Sequence, residues 1–237
     1  MTNPNDLLEN LFLQWQSLWS CIEVNQLFVN NQLSISEVAV NQAFANVAAK
    51  YSKPERYYHN LQHIHHVLQL VQTLQNKTQD LPVIQLAAWF HDVVYASKAD
   101  NNEENSAKYA NYVLTSLNIS PSVINKVTAL IINTKHHQVS ASDSSSILMD
   151  ADLGILGAIA PEYAKYMSAI RKEYSWVSNE EYCLGRIRVL EKFLQRPRIY
   201  LTEEMFDKLE SPARNNISGE IEYLKSQAEN PIPTISN

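Results

Sequence analysis

The chain has 237 residues, with 45% hydrophobic and 19% charged residues, an ordinary globular balance with ample apolar material for a core. Only four glycines occur, and long stretches lack turn residues, which argues for helices joined by short loops and against a sandwich or barrel of many strands. A net charge of -6 excludes non-specific attraction to nucleic acid or anionic lipid, although local basic residues can still serve a phosphorylated ligand.

Leu7, Leu8, Leu11, Phe12, Trp15, Leu18, Trp19 and Ile22 recur at helical spacing and predict a first helix from about Asp6 to Val24. Ser34 and Glu37 have the spacing of a capping box and open a second helix, which Pro54 stops. A third is expected from Tyr58 to Leu74, with Ile64, Val67, Leu68 and Val71 inward. Pro82 opens a fourth, running to about Tyr95. A fifth starts near Asn101, where Glu104 can complete a cap, and Ser120-Pro121 opens a sixth that ends near Lys135. A serine-rich loop, Val139 to Ser146, leads to a short helix over Ile147 to Leu156. Pro161 and the Ser178/Glu181 pair begin two more helices, and a last one spans Thr202 to about Gln227 before a frayed tail from Asn230.

The expectation is a single all-α domain, since neither an internal repeat nor a low-complexity linker divides the chain. Cys21 and Cys183 lie far apart and read as small apolar residues rather than a disulfide framework. The first residues lack the basic start of a signal peptide, and no run approaches a membrane span, so a cytoplasmic setting without membrane partners is expected. Trp15, Trp19, Trp89 and Trp176 sit in apolar patterns and are expected in the core.

All seven histidines fall between His59 and His137. His59 and His63 are four apart, which places them on one face of the third helix. His91 and Asp92 emerge from the apolar run Leu86-Ala87-Ala88-Trp89-Phe90, where an imidazole and an acid need partners. Asp150 and Asp152 interrupt a second apolar run, Ile147 to Leu153.

The ordered strings His59-Asn60-Leu61-Gln62-His63, Phe90-His91-Asp92 and Ala151-Asp152-Leu153 resemble the signature of the HD superfamily of metal-dependent phosphohydrolases. The first string also resembles the His-Asn-x-x-His motif of cyclic nucleotide phosphodiesterases. With Asn102-Glu103, the set is similar to the small stand-alone HD phosphohydrolases. The resemblance spans about Arg56 to Leu156 and implies an HD-type helical bundle with His63, His91, Asp92 and Asp152 as metal ligands. Imidazole with carboxylate suits a divalent transition metal (Mn, Fe, Co, Ni or Zn) better than calcium. One ion or two would fit, with Asp92 placed to bridge to a second.

His59 matches the proton donor to the leaving oxygen; the alternative is that it only orients a neighbour. His136 and His137 match histidines that bind a second metal or a substrate phosphate, or are cations favoured at a helix end. Arg56 and Lys135 are candidate phosphate contacts or surface residues. Asp150 reads as an orienter or a cap, Glu103 and Glu104 as capping residues or acids at a cleft rim, and His65 and His66 as structural or exposed.

The implied activity is hydrolysis of a phosphoester by metal-activated water, on a small phosphorylated substrate of nucleotide-like type, with no nucleic-acid partner. The chain is short beside the cyclic nucleotide phosphodiesterases and lacks their base-clamping glutamine motif and the Gly-Tyr-Pro element of the cyclic dinucleotide branch. Two alternatives stay open: an HD-fold di-iron oxygenase, for which His136 or His137 would supply an added ligand, and a non-catalytic metal- or nucleotide-binding module. A homodimer through the terminal helices is also open.

Overall fold

The computed structural model describes residues 4–25, 27–29, 36–135 and 143–229. Among them the protein is all-α: ten α-helices and short 3-10 turns, with a lone antiparallel bridge between Phe28 and Ile119. The chain divides into two compact units, Met1–Ala151 and Asp152–Asn237.

The first unit holds α1 (Pro4–Val24), α2 (Glu37–Tyr51), α3 (Leu61–Thr73), α4 (Leu81–Phe90), α5 (Asn102–Ser116) and α6 (Pro121–Thr134). It also holds α7 (Asp143–Asp152) up to its final residue. Its core follows the apolar spacing of α1 and α4. Trp15 meets Trp89 edge-on at 5.1 Å between ring centroids, and Phe44 closes the cluster 6.0 Å from Trp89. The Trp15 indole N–H donates to the Val40 carbonyl at 3.0 Å, so this ring is buried without an orphaned donor.

Two expectations shift here. Helix α3 begins at Leu61, not Tyr58, because the Asn60 side chain accepts from the Gln62 and His63 amides and so caps the helix. His59 therefore lies outside the helix. Helix α7 begins at Asp143, so the last part of the expected serine loop is helical, with Ser145 buried and accepting from Asn133. The expected cap residue Ser34, residues 136–142 and the expected tail from Asn230 lie outside the described residues.

The second unit comprises a 3-10 turn (Leu153–Gly157), α8 (Ala160–Glu173), α9 (Asn179–Leu194) and α10 (Glu203–Glu229). Ser178 caps α9 as its spacing predicts, accepting from the Glu181 amide and donating to the Glu181 carboxylate at 2.7 Å. At the other end of α9, Arg214 donates to the carbonyls of Leu194 and Arg196, satisfying groups the helix leaves open. The 3-10 turn is pinned by Tyr200, whose hydroxyl donates to the Leu153 carbonyl, and by Asn216, which donates to Leu156 and Ala158. Gly157 is required: a Cβ there would stand 2.7 Å from that of Leu209. Trp176, in the turn between α8 and α9, is half exposed instead of being core.

Candidate metal centre

Helix α4 is almost wholly apolar and buried, and it stops at Phe90, short of the expected Tyr95. A buried helix end must find donors for its last carbonyls, and here side chains from elsewhere provide them. The His91 ring, through Nδ1, meets the Ala88 carbonyl at 2.8 Å, and the Tyr51 hydroxyl donates to Trp89 at 3.0 Å. The Phe90 carbonyl accepts from the Val93 amide.

The turn that follows is held in the same way. Arg56, only 5% exposed, donates to the carbonyls of Asp92 at 2.7 Å, Val93 at 3.0 Å and His59 at 2.9 Å. Ser106 on α5 both donates to and accepts from the Val94 backbone, and Asn102 grips the Ala96 amide and carbonyl with both ends of its amide. The His91-Asp92 doublet is thus fixed by residues from three other segments.

A carbonyl can only accept, so the His91 contact to Ala88 places a proton on Nδ1 and turns Nε2 toward the other candidate ligands. That Nε2 lies 3.1 Å from His63 Nε2 and 3.3 Å from Asp92 Oδ2, while His63 Nε2 lies 3.6 Å from the same carboxylate oxygen. Asp152, the last residue of α7, completes the group: one ligand atom from each of His63, His91, Asp92 and Asp152 lies within 4.8 Å of the others. His63 and His91 are buried. Two imidazole nitrogens and two carboxylates facing one point form a donor set that a divalent cation satisfies, and the His91 backbone contact is the usual second hydrogen bond of a metal-bound histidine. The four residues expected to meet do so.

The remaining candidates divide. His59 comes within 3.9 Å of Asp92 Oδ2, its ring stacked on Tyr95 (centroids 4.1 Å apart, planes 26° apart) and edge-on to Tyr58. It reaches the site from the capping turn, not from a helical face shared with His63. Arg56 is not aimed at a ligand; its fork is taken up by backbone carbonyls. Lys135 donates to Glu104 at 2.5 Å and to the Asp100 carbonyl, and its pKa is raised chiefly by that hydrogen bond. Glu104 therefore pairs across to α6 instead of capping α5. His136 and His137 lie outside the described residues. Asp150 is fully buried on α7, and the His65 pKa is lowered by burial.

Sequence reasoning missed Tyr51, Tyr95 and Ser106. Nothing in their spacing marks them; Asn102 alone stood in a motif.

No protein-family model and no curated protein sequence matches the chain. Among solved structures, the chain is similar to the phosphodiesterase domain of the RhoPDE fusion protein from the choanoflagellate Salpingoeca rosetta. The TM-score is 0.59 at 15% identity, covering 96% of this chain and 92% of that one. At that identity the likeness is one of fold. The chain thus has the all-α fold of a solved phosphodiesterase domain and carries a histidine–aspartate cluster able to hold a metal ion. No helix among the described residues is long and apolar enough to cross a membrane.

Proposed function

We propose that this protein is a metal-dependent phosphohydrolase of the HD superfamily, acting on a phosphoester of a nucleotide or nucleotide-like small molecule. The carrying observation is the convergence of His63, His91, Asp92 and Asp152, the residues that the motif resemblance assigns as ligands, on one point. The fold shared with a phosphodiesterase domain supports the same reading.

His63, His91, Asp92 and Asp152 would hold the ion, drawn from Mn, Fe, Co, Ni and Zn. When bound, a divalent ion acidifies a water to give hydroxide near neutral pH and offsets charge on a phosphoryl oxygen. The chain's own part is to hold these groups still. Arg56, Tyr51, Ser106 and Asn102 lock the turn that carries His91 and Asp92, so the ligands need little reorganisation. His59 is the group that hands a proton to the leaving oxygen. Its ring stands beside Asp92 and is kept in plane by Tyr95.

The test is bound metal per chain after reconstitution with each candidate ion, in the wild type and in Asp92→Ala, followed by a phosphoester panel with the preferred metal. Stoichiometric metal in the wild type, its loss in the variant, and turnover that disappears with it are expected. Metal retained equally by both proteins would sink the assignment. Two irons with oxygen consumption and no hydrolysis would favour the oxygenase alternative, and bound metal with neither activity the binding-module alternative.

A further inference from the structure

Helix α9 carries a line of residues that its own packing does not use. Glu181, Gly185, Arg188 and Lys192 follow one another at spacings of four, three and four, which sets them on a single seam of the helix, and all four are exposed. Leu184 and Val189, each nearly half exposed, flank the seam on its two sides. The buried face of the same helix packs against α10.

Gly185 is the anomaly on this seam. A glycine in mid-helix costs backbone entropy and makes a poorer helix than almost any other residue. Inside a protein such a glycine is explained when a neighbour stands where its Cβ would be, as Leu209 does at Gly157. At Gly185 no atom of the chain lies within 4 Å of that position, so the seat it leaves faces outward.

The charges on the seam name an occupant. An acid stands at its N-terminal end, Glu181, and bases at its C-terminal end, Arg188 and Lys192. Among the described residues neither base has an ion-pair partner. Ser178 donates to Glu181 Oε2 at 2.7 Å, which steadies the acid. Turning a second copy of the helix end for end about the middle of this segment sets Glu181 level with Lys192 of the second copy, and Gly185 level with its Arg188. By symmetry each pairing occurs twice, and the apolar stem of each Arg188 can lie across a glycine. A parallel pairing would set like charge against like.

We propose that two copies of this chain associate through α9, antiparallel about a two-fold axis, with Gly185 and Arg188 at the crossing and Glu181 paired with Lys192 of the second copy. The contact is small and its charges are exposed, so the dimer is weak and salt-sensitive. It is independent of the metal centre.

The test is sedimentation equilibrium of the full-length protein over a range of concentrations, with thermal unfolding of each variant as a check on folding. Wild type should pass reversibly from one chain to two as concentration rises. Lys192→Glu brings like charges together at both ends and should weaken association about 10-fold or more. The exchanged pair Glu181→Lys with Lys192→Glu should recover most of that loss. Gly185→Gln should raise the melting temperature, because the new side chain meets nothing and suits a helix better. The same variant should weaken association, because it fills the seat of Arg188, and it decides the matter should the exchanged pair fold poorly. A protein that stays a single chain at every concentration would overturn the proposal. So would a dimer indifferent to Lys192→Glu, a folded exchanged pair that associates no better than Lys192→Glu alone, or a Gly185→Gln protein that associates as tightly as wild type.

Discussion

Two polar clusters sit inside this protein, and they are built on opposite terms. At His63, His91 and Asp92, groups able to bind a metal crowd together: two imidazole Nε2 atoms 3.1 Å apart, with a carboxylate oxygen 3.3 Å from one and 3.6 Å from the other. At Arg186 and Glu220, a guanidinium faces a carboxylate with a phenol supplying a further proton, and charge and hydrogen bonding are balanced by the chain alone. The first arrangement is a candidate site because its donor atoms, with Asp152, lie close enough to share one cation. The second is a balanced pair, which makes it a support for folding.

Removing one partner from each cluster should separate them most sharply. Glu220→Ala leaves Arg186 buried without its acid and is expected to lower unfolding free energy by about 3–5 kcal/mol. In the metal-free protein, Asp92→Asn should change stability little while abolishing metal retention. Urea unfolding of both variants checks this; a loss below about 1 kcal/mol for Glu220→Ala would break the comparison.

The Arg56 strap stands between these cases, since it serves folding and site together. Arg56→Met strips hydrogen bonds from three carbonyls and is expected to destabilise the protein by about 3 kcal/mol, with weaker metal binding as the His91-Asp92 turn loosens. Arg56→Lys should recover only part of each, because a point charge cannot reproduce the fork. Equal metal affinity in wild type and Arg56→Met would show that the turn is rigid without it.

How much of this was legible in the sequence follows from how local each signal is. Pro121 and the Ser178/Glu181 pair mark helix starts within a few residues, and both stand where their spacing put them. The His-Asn-x-x-His, His-Asp and Asp-Leu strings named the four residues that meet. The same first string held the sign that His59 is not helical: Asn60 is a strong capping residue, and the helix had to begin after it. Arg56 looked like a phosphate contact because its real partners, the carbonyls after α4, are 36 and 37 residues away and carry no side-chain signature. The pairing of Arg186 with Glu220, 34 residues apart on different helices, was likewise invisible. Trp176 matched an apolar pattern but lies in a turn, where periodicity does not report burial.

The balanced cluster should also declare itself at high pH. Burial, aided by Glu220 and opposed by Arg186, pushes the Tyr182 pKa up to about 12 from its ordinary 10.0, and burial beside Glu220 drives Tyr163 upward as well. In both cases the folded chain holds the proton more tightly than the unfolded chain. Above pH 10 the unfolded state therefore binds fewer protons, and stability must fall as pH rises. This contribution is fully present below about pH 10 and is lost progressively toward pH 12. Tyr109 in the first unit shifts in the same direction, so single variants are needed to assign the effect. Tyr182→Phe should make the alkaline limb of the stability profile shallower and leave the profile below pH 9 parallel to wild type. An unchanged alkaline limb would mean that Tyr182 titrates in the folded protein as it does in the unfolded one, and that the cluster of α8, α9 and α10 is more open to water than its hydrogen bonds indicate.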